Sequence, residues 1–299
     1  MSTDDPCTTG AKAPADAQFD WPGHSGPLHL KLYKSPAHPL GCGSLLVFFH
    51  PGGFVVDDMD EADHCLRVVA DACEVHVLAP SYALAPERPF PAAVEDAHAV
   101  LGQVSAHKRQ LGWKGTHLFV GGVEAGGNLA AVSALVSRDR HGPPLAGQIL
   151  VMPMLDASLG CHSMRCADEA QDGGHMARAL ADSYRRYLPR PADRLHPYAS
   201  PLMARRLGEL PPALIFHTEG DPLADEAVAY ADKLRQAGNH ASDIALPPAD
   251  VKDNQDRCDI TADDPCILAM KRFMAELSLN TRPSATPNTP NTSAKGAHP

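Results

Sequence analysis

The sequence has no excess of positive charge, no Cys-x-x-Cys pair, no long apolar run and no internal repeat, and each absence removes a class of protein. Lysine and arginine number 26 against 36 aspartates and glutamates, a net charge of −10. Nucleic acid and anionic membrane both attract basic surfaces, so neither is expected as the main partner. No apolar stretch approaches the roughly 20 residues that cross a bilayer. Residues 1–22 are polar, without the apolar core of a secretory leader, and a cytoplasmic chain is expected. The eight cysteines are scattered, and in a chain this long they read as free thiols rather than a disulfide framework. Cys161, His162, Cys166 and His175 lie near one another but miss zinc-ligand spacing, so no metal is expected. One further absence is local: no histidine occurs between His240 and His298.

What is present suits a folded domain. Hydrophobic residues make up 44% of the chain, enough for a substantial core. Residues 1–20, rich in Asp, Ala and Thr, and residues 280–299, rich in Pro, Thr and Asn, are expected to be disordered. That leaves 21–279 as the domain. Short apolar runs at Ser44–Phe49, Glu74–Ala79, His117–Val120, Gln148–Met152, Ala213–Phe216 and Asp243–Leu246 read as strands buried on both faces. Between them, Ala92–Arg109 and Gly126–Ser137 read as helices, with Leu129, Val132, Leu135 and Val136 at helical spacing. Strands alternating with helices predict a doubly wound, mostly parallel α/β sheet. Ligands of such sheets sit beyond the carboxyl ends of the strands. Segment 157–205 is too long for a simple connection and predicts a small helical cap over that site.

Four segments at strand ends stand out, and three of them carry candidate chemistry. His50-Pro51-Gly52-Gly53 follows a strand, where adjacent glycines let backbone N–H groups turn toward an oxyanion. Tyr82-Ala-Leu-Ala-Pro-Glu-Arg-Pro-Phe-Pro is a proline-set turn whose local job is structural. Gly121-Gly122-Val123-Glu124-Ala125-Gly126-Gly127-Asn128 runs from strand to helix in the frame of a nucleophile elbow, whose glycines permit a sharp turn. Asp221-Pro222-Leu223-Ala224-Asp225-Glu226 follows another strand, and Asp221 also suits a helix N-cap.

Taken in order, these segments resemble the hormone-sensitive-lipase family of esterases, over roughly Pro27 to Ser278. The resemblance implies an α/β-hydrolase fold and no cofactor. It places Glu124 where the family's serine nucleophile stands, within Gly-Asp-Ser-Ala-Gly-Gly-Asn. It carries Asp221 over as the triad acid, and Gly52, Gly53 and Ala125 as oxyanion donors, supported by His50, Gly122 and Gly126. Pro51 replaces a glycine and offers no N–H. The family's histidine falls near Val251. His217 and His240 are the only nearby substitutes for it.

Ester hydrolysis needs a nucleophile, a base and an oxyanion site, and loss of either of the first two costs a factor of about 10⁶. Both are replaced here. The expected protein is therefore an inactive or strongly impaired hydrolase with a pocket for a small ester-like or carboxylate ligand. Glu124, at a helix N-terminus that favours anions, is expected to turn its carboxylate into the oxyanion site. Two alternatives stand beside this reading: an active acyl hydrolase with Glu124 as a non-standard nucleophile, and an interaction scaffold. The sequence leaves the oligomeric state open.

Overall fold

The computed structural model describes residues 14–169, 173–247 and 260–280. Its centre is one eight-stranded sheet. The strands are β1 (Ala17–Pro22), β2 (Pro27–Tyr33), β3 (Cys42–Phe49), β4 (His76–Pro80), β5 (Trp113–Val123), β6 (Gly147–Val151), β7 (Ala213–Thr218) and β8 (Ala241–Leu246). Their order across the sheet is β1-β2-β4-β3-β5-β6-β7-β8. β1 with β2 and β2 with β4 are antiparallel, and every other neighbouring pair is parallel.

The central strands owe their apolar runs to burial on both faces. All five residues of β4 and of β6 are buried. The first two strands differ, because they form the antiparallel end of the sheet: β1 alternates, while β2 alternates only at its start and is buried from Leu30 to Tyr33. Leu28, Leu30 and Leu32 point inward while His29 stays half-exposed. Lys31 hides a charge in that edge, its ammonium 2.8 Å from Asp63. β1 begins at Ala17, which corrects the expected boundary at residue 21. Phe19 and Trp21 pack on the core from a segment that composition alone marks as polar.

Eight helices are described: α1 (Asp63–Ala72), α2 (Ala92–Val104), α3 (Lys108–Leu111), α4 (Ala125–Asp139), α5 (His162–Glu169), α6 (Gly173–Tyr187), α7 (Ala224–Gln236) and α8 (Pro265–Asn280). The expected helix Ala92–Arg109 is thus two helices, with a break at residues 105–107. Helices α2, α4 and α7 pack on one face of the sheet, and α1 and α8 on the other. α4 is buried from Ala125 through Ser137, as a helix that is apolar nearly all round must be. Burial of each large aliphatic side chain stabilises the fold by about 1.5–3 kcal/mol.

Segment 157–205 holds α5, α6 and two 3-10 turns, Pro191–Leu195 and Pro201–Met203. α6 packs on the loop after β3: Phe54 and Tyr187 stack at 3.8 Å between ring centres. The loops that leave β3, β5, β6 and β7 all emerge at the carboxyl ends of parallel strands. That edge carries the candidate site.

Candidate functional site

Glu124 links β5 to α4 at φ 51°, ψ −111°. This conformation is sparsely populated for residues with a side chain, and costs of order 1–3 kcal/mol. Neighbouring backbone holds it there. The Glu124 N–H donates to the Val151 carbonyl at 3.0 Å, and its own carbonyl accepts from Asn128 at 3.0 Å and Met154 at 3.1 Å. The glycines are needed for close approach. A Cβ on Gly126 would stand 2.0 Å from the Phe49 carbonyl oxygen, and one on Gly122 would stand 2.3 Å from the Gly126 carbonyl carbon. Contact of Gly126 with Phe49 and His50 brings the loop after β3 against the first turn of α4.

In that loop Gly52 and Gly53 have φ of 112° and 59°, the region where glycine carries no penalty. The Gly52 carbonyl accepts the N–H groups of Val55 and Val56, each at 3.0 Å. A Cβ on Gly53 would meet Ser183 Oγ of α6 at 2.4 Å, so α6 roofs this turn closely. His50 lies flat on Tyr82, ring centres 4.2 Å apart. Its Nδ1–H donates to the Pro51 carbonyl at 2.6 Å, and the Tyr82 hydroxyl donates to the His50 carbonyl at 2.9 Å. Burial holds the His50 imidazole below its usual range, opposed by the Pro51 carbonyl and by Asp57 and Asp58. His50 therefore braces the loop as a neutral ring.

Glu124 is half-buried. Burial pushes the Tyr82 phenol well up, and the Glu124 carboxylate is among the lesser charges acting in the same direction. Ala125, the third candidate donor, is the first residue of α4 and fully buried.

Asp221 stands in the turn after β7. Its Oδ1 accepts the Leu223 N–H at 2.7 Å and its carbonyl accepts that of Ala224 at 3.1 Å. These bonds close a turn ahead of α7, whose N-cap is Leu223 with no side-chain cap bond, so Asp221 is not the N-cap that Asp-Pro predicts. His217, on β7, turns toward the next strand, with Nε2 3.8 Å from Asp243 Oδ2. His240 is exposed and meets β7 through its carbonyl, which accepts the Ala213 N–H at 2.9 Å. Val251 lies outside the described residues. Among those residues, no group of three or more His, Cys, Asp or Glu is arranged to hold a metal.

Two side chains matter more than their sequence context announces. Asn128 Nδ2 donates to the carbonyls of Met154 at 2.7 Å and Ala199 at 2.9 Å, tying the elbow to the loop after β6 and to the later part of segment 157–205. Glu226, 2% exposed, accepts the Leu155 N–H at Oε2. Burial raises its carboxyl well above the ordinary range, the Leu155 N–H opposes this, and Asp156 and Asp221 add to it. Each ends one of the motif strings, but a helix interior gives no chemical reason to single it out.

Comparison with known proteins agrees with this architecture. Residues 46–247 match the family described as alpha/beta hydrolase fold. The chain is 35% identical over 219 residues to esterase LipI of Mycobacterium tuberculosis, covering 72% of this chain and 68% of that protein. It is 36% identical over 222 residues to ethyl acetate hydrolase of Pseudomonas putida, covering 72% and 67%. The chain thus spans about two thirds of these relatives' length. Among solved structures, the esterase of Pyrobaculum calidifontis superposes with a TM-score of 0.73 at 34% identity, covering 79% of this chain and 77% of that one. The chain belongs to the alpha/beta-hydrolase family of the hormone-sensitive-lipase and carboxylesterase type.

Proposed function

We propose that this protein is a non-catalytic descendant of carboxylic-ester hydrolases that binds a small ester-like or carboxylate ligand between elbow, glycine turn and cap. The observation that carries the reading is Glu124 itself. A carboxylate stands at the tip of a strained elbow, where hydrolysis calls for a hydroxyl and a base beside it. No histidine follows Asp221 until His240, and none lies between His240 and His298.

In this reading Gly52, Gly53 and Ala125 keep the oxyanion turn, while Glu124 fills it with its own carboxylate. Segment 157–205 acts as the cap, with α6 closing over Gly53. Asp221 keeps its turn-forming bonds, so its retention has a structural reason once no imidazole needs it.

A melting series over short alkyl esters and short carboxylic acids tests the proposal. A saturable rise with at least one class is expected, reaching about 2.7 kcal/mol of added stability at a hundred times the dissociation constant. A melting temperature that stays flat across both classes contradicts it.

A further inference from the structure

At the opposite edge of the sheet from Glu124, a groove of about 410 Å³ opens at the amino ends of β3, β4 and β5. Four cationic side chains line it: Lys34, Lys108, Arg109 and Lys114. Among the described residues, no carboxylate lines it. In a chain with a net charge of −10 this is a local reversal of sign. None of the four makes a side-chain ion pair among the described residues. Asp16, a carboxylate close to Lys34, is held by the Lys34 backbone N–H and by Arg67.

The groove also has a built polar floor. His76 is 1% exposed, yet its ring reaches the groove wall. Nδ1 accepts the Ser35 N–H at 3.1 Å, which puts the ring proton on Nε2. Nε2 makes no hydrogen bond among the described residues. It lies 3.3 Å from where a Cβ on Gly112 would be, and Gly112 has φ 63°, so a glycine keeps that approach open. Burial, with Lys34 and His38 acting the same way, lowers the His76 pKa to about 4. At neutral pH the ring is an uncharged N–H donor. Lys108 is held in position, its ammonium 5.5 Å from the centre of the Trp113 ring. Cations gathered around a buried N–H donor suit an anion, and charge-assisted bonds to phosphate oxygens are the strong kind.

We propose that this groove binds a soluble phosphorylated small molecule, a second ligand site distinct from the elbow. The volume lies within the range of small-ligand sites. Several separated cations favour a di- or polyphosphate over a single carboxylate. Leu40, 95% exposed at the rim, is the one feature that would also suit an anionic lipid surface.

Calorimetric titration of the full chain with pyrophosphate at fixed ionic strength tests the proposal. Saturable binding with a dissociation constant at or below about 1 mM is expected. Replacement by Lys108→Gln with Lys114→Gln should weaken it at least ~10-fold, and the distant Arg185→Gln should leave it unchanged. The His76 ring ¹⁵N resonances should shift with the same saturation curve. No saturable heat, equal affinity in the double variant, or an unmoved His76 overturns the site. Retention on phosphatidylglycerol vesicles that pyrophosphate cannot displace assigns the groove to a membrane surface and also overturns it. None of these readouts depends on the elbow pocket.

Discussion

Glu226 Oε2 accepts the Leu155 N–H at 3.0 Å, so a buried carboxyl on α7 ties the helix that follows Asp221 to the loop leaving β6. The same loop is bonded to Glu124 through Met154. Glu124 and the helix after Asp221 are therefore joined through the Glu226 carboxyl and the backbone of this loop.

A pH dependence follows from that carboxyl. Its pKa in the fold lies well above the ordinary 4.5, so the folded state keeps a proton that the unfolded chain releases. The unfolded state binds fewer protons in that window, and stability falls as pH rises from about 4.5 through the folded pKa. Below 4.5 both states are protonated and the loss is absent. Urea unfolding at pH 5, 7 and 8.5 should show Glu226→Gln gaining on the unmodified chain as pH rises. A constant difference across the three contradicts the assignment.

Two glycines should respond in opposite directions to the same substitution. Gly126→Ala forces a methyl into the Phe49 carbonyl, and overpacking of this kind costs about 1–3 kcal/mol or more. Gly102, inside α2, has nothing within 4 Å of a would-be Cβ. Gly102→Ala should stabilise by about 0.4–1 kcal/mol through the unfolded state. Denaturant midpoints of the two variants check both signs.

Restoring parent chemistry needs two changes. Glu124→Ser alone should remain nearly inert on nitrophenyl esters, because a serine without a base is a weak nucleophile. Adding Val251→His should raise the rate at least ~100-fold over the single variant, the low end of a general base's contribution. High activity of the single variant would mean that His217 or His240 already serves as base.

Much of the fold is legible because parallel strands buried on both faces leave continuous apolar runs, as at Leu45–Phe49 and Ile149–Val151. β1 and β2 are not, since β1 is mostly exposed or only part-buried and in β2 the buried Lys31 breaks the apolar run, its charge met by Asp63. The break between α2 and α3 escapes for a different reason: Ser105 and His107 are both acceptable in a helix. At the candidate site, glycine spacing reveals the two tight turns, at Gly52-Gly53 and at Gly122 to Gly126. Glu226 and Asn128 stay hidden, because their importance lies in carbonyls and N–H groups that come from distant segments.

The most direct test is initial-rate measurement of nitrophenyl acetate and butyrate hydrolysis by the unmodified chain. The account predicts no acyl-enzyme burst and at most the ~10³–10⁴-fold acceleration over water that an oxyanion site alone supplies. Steady turnover of about 1–10³ s⁻¹, the usual enzymatic range, lost on Glu124→Gln, would contradict it.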